Sequence, residues 1–202
     1  MLPVTMHSDE QLFLRKVVAE IKPGSCMVEW GSGGSTVMFA DSLRDDVTLF
    51  SVEHNPDWFD KVGNALLDHP RLPQVVRFFV PPTYPLEFYG YGGPNEECPA
   101  GLTDYVNPDP LAAEWGRAEV ILVDGIARGA ILQSLWKRAR GTRIFLHDHV
   151  PGREPWYGWA LDGYEVVRRV NTLLELRRTD EPGPGESARP STAGSEYPLP
   201  SG

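Results

Sequence analysis

Cysteine is nearly absent. Two in 202 residues, Cys26 and Cys98, with no CxxC neighbour, cannot supply a disulfide framework or a zinc knuckle, and they read as free thiols of a reducing compartment. Basic residues are also scarce, since 19 Lys and Arg against 28 Asp and Glu leave a formal charge of −9. Asp180, Glu181, Glu186 and Glu196 against Arg189 put −3 of this in residues 180–202, leaving −6 on the remainder. So acidic a chain is poorly suited to phosphate backbones, whose binding comes largely from Lys and Arg displacing counterions, and no nucleic-acid partner is expected. No run approaches the ~20 apolar residues of a membrane span. Met1 to Glu10 lack the basic start and apolar run of a signal peptide, so no membrane contact and a cytoplasmic location are expected. There is no second glycine-rich nucleotide turn either, so the chain reads as one domain over 1–179 followed by a tail.

What is present centres on Met27-Val28-Glu29-Trp30-Gly31-Ser32-Gly33-Gly34-Ser35-Thr36. A short apolar strand runs into a glycine turn, and Ser35 and Thr36 are placed to start the next helix. Glycine permits a tight turn and close approach of a ligand, because no side chain intervenes. A second apolar strand, Thr48 to Glu53, ends on an acid 22 positions after Gly31 (53 − 31). In a βαβ unit an acid at about that spacing stands at the tip of the second strand, beside a cofactor ribose, where a carboxylate accepts from both hydroxyls.

The rest of the pattern extends this unit. Ser8, Asp9 and Glu10 suit a helix start, with Ser8 as cap, and Leu12, Phe13, Val17, Val18 and Ile21 follow at helical spacing up to Lys22-Pro23-Gly24. Cys26 to Trp30 form the first strand, and Asn55-Pro56 opens a helix after the second. Further strands are expected over Val75 to Val80, Ala118 to Gly125 and Arg143 to Leu146, with a helix carrying Ile131, Leu132, Leu135 and Trp136 between the last two. A short helix around Trp156 to Leu161 and two β-rich runs, Gly163 to Val170 and Thr172 to Arg178, close the domain as antiparallel or edge strands. Helix and strand alternate, which predicts an α/β fold: a Rossmann-like, doubly wound, mostly parallel sheet of about seven strands with helices on both faces. Residues 81–110 interrupt it with seven prolines, four glycines and four tyrosines, and are expected to form a lid or substrate loop, with a locally disordered insertion as the alternative. Residues 180–202, thirteen of them Gly, Pro or Ser, are expected to be a disordered tail.

These motifs resemble the class I S-adenosylmethionine-dependent methyltransferases. The acid two positions before the family's glycine turn is matched by Glu29, the turn by Gly31-Ser32-Gly33-Gly34, the ribose acid by Glu53 and the acid ending the fourth strand by Asp124. The resemblance implies that Gly31, Ser32 and Gly33 lie against the methionine part of the cofactor with Glu29 positioning it, that Glu53 holds the ribose and that His54 sits near the adenine. It implies Asp124 as a further cofactor residue, and S-adenosylmethionine as the cofactor. A dinucleotide fingerprint would need glycine at position 36, where Thr36 stands, so a nicotinamide-dependent oxidoreductase is the weaker reading.

The acceptor end is carried by Asp124 and by His147-Asp148-His149, at the ends of predicted strands. His147 or His149 is a candidate base and Asp148 a candidate catalytic acid group, which favours a small-molecule acceptor methylated at oxygen. In a second version, like that of catechol-type O-methyltransferases, Asp124, Asp148 and His149 hold a divalent metal; a histidine among the ligands favours a softer ion than magnesium. Bland readings stand beside these: Asp148 as a cap, His147 as a hydrogen-bonded histidine under the lid, Arg128 as a solvated charge and Trp156 to Trp159 as core. A methyltransferase-like module that binds cofactor without turnover also fits. The pattern specifies no oligomeric state.

Overall fold

The structure is a computed structural model that describes residues 2–83, 101–153 and 157–179. The expected tail over 180–202, the 84–100 portion of the expected lid, and Trp156 lie outside the described residues. The elements in chain order are α1 (Ser8–Ala19), β1 (Cys26–Trp30), α2 (Gly34–Ser42), β2 (Thr48–Glu53), α3 (Pro56–Leu66), β3 (Val75–Phe79), α4 (Thr103–Val106), β4 (Ala118–Val123), α5 (Arg128–Arg138), β5 (Arg143–Leu146), β6 (Tyr164–Val170) and β7 (Leu173–Arg178). Seven strands form one sheet in the order β3-β2-β1-β4-β5-β7-β6. The first five are parallel and β7 runs antiparallel to both its neighbours.

Strand periodicity divides the core in two. Cys26, Val28 and Trp30 of β1 join Phe50, Val52, Ile121, Val123, Ile144 and Leu146 on one face, under α4, α5 and the 3-10 turn at Gly158–Gly163. Met27, Leu49, Val75, Val120, Leu122 and Phe145 face the other way, under α1, α2 and α3. Alternate residues of each strand thus serve opposite layers, so both faces are apolar and need helices. No helix among the described residues is long and apolar enough to cross a membrane.

Local chemistry sets the element ends. Asn55 Oδ1 accepts from the Asp57 and Trp58 N–H groups at 2.9 and 3.2 Å, with Pro56 in the first turn of α3. Helix α1 starts at Ser8, so the cap is His7 and not Ser8; the His7 N–H donates to Glu10 at 2.8 Å. Gly34 enters α2 one residue before Ser35, because Thr36 Oγ1 accepts the Gly33 N–H at 2.9 Å. Strand β4 stops at Val123, which leaves Asp124 and Gly125 in the following turn.

Part of the expected lid is core. Leu102, Tyr105 and Val106, with Leu111 just past the expected segment, are buried against the sheet, and Trp30 Nε1 donates to the Tyr105 carbonyl at 2.9 Å. The apolar side chains of 101–111 take the place a crossover helix would fill between β3 and β4. Tyr157 is likewise buried in this layer, as the core reading of the aromatic cluster expects.

Candidate cofactor and acceptor site

The sheet itself assembles the site. Beyond the strand ends, the Gly31 N–H donates to Val52 O at 2.9 Å, Asp124 N–H to Trp30 O at 2.9 Å and His147 N–H to Val123 O at 3.1 Å. These ladder bonds set Gly31, Asp124 and His147 side by side at the carboxyl edge, where β1 separates β2 from β4 and the chain order reverses. Open α/β sheets bind ligands at that switch point. A cavity of about 310 Å³ opens here, at the lower end of the range of small-molecule sites.

One end of it is the glycine turn. Gly31 has φ +90°, and a Cβ on it would stand 2.7 to 2.9 Å from backbone atoms of Asp124 and Gly125. Glycine is required there by conformation and by space. A Cβ on Gly33 would meet nothing nearer than Ser35 Oγ at 3.9 Å, so that face is an open cradle. Beneath the turn Glu29 is fully buried, with Oε1 accepting from Ser35 at 2.5 Å and Oε2 from Thr36 and Ser51 at 2.6 and 2.8 Å. Burial pushes its carboxyl up to about 7 against those three hydroxyls, with the Asp124 charge adding to the rise. Glu29 does not line the cavity; it pins the turn that does. Thr36, where a dinucleotide turn has glycine, is one of those pins.

Glu53 and His54 line the next wall. Glu53 Oε1 accepts from the His54 and Asn55 N–H groups at 2.8 and 2.7 Å. His54 Nδ1 lies 2.9 Å from the same oxygen but outside hydrogen-bond geometry. Glu53 Oε2 has no hydrogen bond among the described residues. Trp58, in the first turn of α3, lines the same cavity, as do Pro3 to Met6, of which Pro3 and Val4 pack against the glycine turn, where a Cβ on Gly34 would run into the Pro3 carbonyl oxygen.

The acceptor end holds Asp124, Gly125, Arg128, His147, Asp148 and Arg153. Asp124 Oδ1 lies 2.7 Å from His147 Nδ1, and His147 Nε2 lies 3.3 Å from Glu10 Oε2. Arg128 is only 6 % exposed, contrary to a solvated charge: its Nε donates to Gly125 O at 2.8 Å and its Nη1 to His147 O at 2.9 Å. It therefore clamps the two strand-end turns together. Asp148 is held by Arg153, with Arg128 Nη1 3.8 Å away. Ala127 and Asp148 both have positive φ, +56° and +62°, so two non-glycine residues in the left-handed region flank the site.

Of the sequence-derived candidates, Gly31, Ser32, Gly33, Glu53, His54, Asp124, His147 and Asp148 share this cavity, whereas Glu29 and His149 do not line it. His149 packs against Tyr157 and has its Nδ1 3.0 Å from Arg169 of β6. The metal version does not fit. Asp124 faces His147, Asp148 faces Arg153, His149 lies elsewhere, and no cluster of three metal-ligating side chains occurs among the described residues. Divalent cations need carboxylate oxygens that are not already paired with cationic side chains. Glu10, Trp58 and Arg153 also belong to this site and are not among the sequence-derived candidates, and Arg128 is a buried clamp instead of a solvated charge. Only Arg128 left a signal, an arginine one helical turn after the strand-end acid.

No protein-family model and no curated protein matches the sequence. Solved structures do match the fold. A methyltransferase-like protein from Silicibacter pomeroyi superposes with TM-score 0.66 at 21% identity, over 91% of this chain and 92% of that one. An RNA methyltransferase from Salinibacter ruber, in complex with S-adenosyl-L-homocysteine, gives 0.52 at 14% over 88% and 95%. A SAM-dependent O-methyltransferase from Thermotoga maritima gives 0.53 at 11% over 90% of this chain and 64% of its own. The chain has the fold of the class I S-adenosylmethionine-dependent methyltransferases.

Proposed function

We propose that the protein is an S-adenosylmethionine-dependent methyltransferase that acts at an oxygen of a small-molecule acceptor. Glu53 carries the cofactor half of this reading. One of its oxygens is taken by two backbone N–H groups and the other has no partner among the described residues, on the wall of a cavity whose neighbouring wall is the glycine turn. A ribose diol supplies the two donors that such a carboxylate accepts. The S-adenosyl-L-homocysteine in the Salinibacter ruber structure supports the same ligand class.

Bound cofactor supplies a methyl group activated on sulfonium sulfur. The chain's task is then to align that methyl with the acceptor and exclude water. Gly31 to Ser35 would cradle the methionine part, Glu53 the ribose, and His54 and Trp58 the base. Asp148, partly exposed beside Arg153, is the carboxylate we assign to accept an acceptor's hydroxyl proton. His147 has both ring nitrogens engaged, so it serves the wall and not proton transfer. Oxygen as the methylated atom has the support of the Thermotoga maritima enzyme's name, and the net charge of −9 favours a small molecule over RNA.

The pairing of Asp148 with Arg153 and the full engagement of His147 favour a second reading, a cofactor-binding module without turnover. Transfer of labelled methyl from S-adenosylmethionine to pooled hydroxylated small molecules, amines and RNA separates the two. Label is expected in the hydroxyl pool and is expected to be lost in Asp148→Asn. Label confined to RNA or amines overturns the acceptor assignment, and cofactor binding with no transfer to any pool establishes the module.

A further inference from the structure

We propose that Glu10, on the first helix, is a positioning residue of the cavity: acting through His147, it fixes the Asp124 carboxylate at the cavity wall. The proposal rests on the cofactor reading of that cavity and adds to it a residue distant in sequence. Each nitrogen of the His147 ring faces a carboxylate oxygen, Nδ1 at 2.7 Å from Asp124 Oδ1 and Nε2 at 3.3 Å from Glu10 Oε2. A neutral imidazole has one N–H and must present a lone pair to one of the two acids; only the imidazolium donates to both. His147 is only 5 % exposed, so its ring is largely shielded from water that could stand in for either partner.

Glu10 itself is fully buried and its own position is over-determined. Its Oε1 accepts from Thr172 N–H and Oγ1 at 2.7 and 2.8 Å, and its Oε2 from His7 N–H at 2.8 Å. Glu10 therefore cannot follow a ring that moves; the ring is held to Glu10. Asp124 is held in turn through Oδ1, and its Oδ2 keeps no hydrogen-bond partner among the described residues, on the cavity wall.

The charges around the ring agree with this. Burial works against the imidazolium, and the Asp124 hydrogen bond with the charges of Asp124 and Glu10 outweighs it, so His147 titrates above its ordinary value. Arg128, on α5, opposes them and reaches the His147 carbonyl. Asp148, next in the chain, and Arg153, in the turn at Pro151–Arg153, neutralise one another nearby. A folded pKa raised above the unfolded one gives stability that is complete below the unfolded value and is lost as pH rises through the folded value. In that window one N–H must serve two carboxylates, and either Asp124 or α1 loses its partner.

The bland alternative is that Glu10 only caps α1 and ties down Thr172. Glu10→Gln keeps an acceptor for Thr172 but turns an amide NH2 toward both His147 and the His7 N–H, so it removes the charge facing the ring together with the cap's acceptor, and the ring titration, read beside ligand affinity, separates the two. Ring 15N resonances of wild type are expected to show both His147 nitrogens protonated to a higher pH than in a free imidazole, and Glu10→Gln to move the titration midpoint down. S-adenosylhomocysteine affinity is expected to fall about fivefold or more, the lower end of the effect of unpairing a buried polar group. Its loss at alkaline pH is expected to begin at lower pH, in step with the ring. Thr172→Val, which removes only one bond to the other oxygen, should leave the His147 midpoint in place. Identical His147 titrations and identical binding profiles in wild type and Glu10→Gln overturn the proposal. If Glu10→Gln does not fold, a wild-type His147 midpoint at or below that of a free imidazole overturns it without a variant. Failure of wild type to bind the ligand sinks the methyltransferase reading instead, and the ring titration still decides the clamp.

Discussion

Replacing Gly31 with alanine tests the packing of the glycine turn against the β4 turn. Alanine at φ +90° carries about 1–2 kcal/mol of left-handed strain. The added Cβ would also stand 2.7 Å from Gly125 N, 2.8 Å from its Cα and 2.9 Å from the Asp124 carbonyl carbon, all backbone atoms that no rotamer change can remove. Overpacking of this kind costs a further 1–3 kcal/mol or so, for a total of about 2–5. Gly141 provides the control, since it has φ +76° but nothing within 4 Å of an added methyl, and it lies at the opposite edge of the sheet, before β5. Gly141→Ala should show the strain alone. For a domain of this size, roughly 2–4 °C of Tm per kcal/mol puts Gly31→Ala about 2–12 °C below Gly141→Ala in thermal unfolding followed by circular dichroism. Equal Tm values for the two variants would refute the claim that β1 and β4 meet through Gly31.

Two further outcomes follow from buried polar groups. The Tyr105 hydroxyl is buried and has no hydrogen bond among the described residues, so Tyr105→Phe should leave Tm unchanged or raise it; a drop of several degrees would show that the hydroxyl has a partner after all. Glu29, pushed from 4.5 up to about 7, binds a proton more readily folded than unfolded, so its contribution, about 3 kcal/mol, is lost as pH rises from 4.5 towards 7. Glu29→Gln should therefore compare more favourably with wild type at about pH 8 than at about pH 5, and denaturant midpoints that keep a constant gap over that interval would contradict it.

Much of the fold was legible because its signals are local. Cys26–Trp30, Thr48–Glu53 and Arg143–Leu146 are apolar runs bounded by turn residues, and each strand ends where its run does. Glu53 was legible through spacing alone. The other half of the site was not, because its partners are far apart in sequence. Glu10 meets His147 across 137 positions and Thr172 across 162, and in sequence it is one of two acids in an ordinary first turn. His149 stands one residue beyond Asp148, but the positive φ at Asp148 takes the chain out of the strand direction, and His149 packs against Tyr157 instead of entering the cavity. Proline and tyrosine content suggested a lid for all of 81–110, whereas burial of Leu102, Tyr105 and Val106 shows that an aromatic, proline-rich stretch can be core when an apolar sheet face needs cover.

Everything proposed for the cavity depends on its holding an adenosyl cofactor through Glu53, and calorimetric titration of wild type and Glu53→Gln with S-adenosylhomocysteine puts that to the test. One site per chain is expected in wild type, with an affinity about tenfold or more weaker in the variant, the effect of losing a charge-assisted hydrogen bond. No heat in wild type at protein concentrations suited to micromolar binding, or equal affinities in the two proteins, would contradict it.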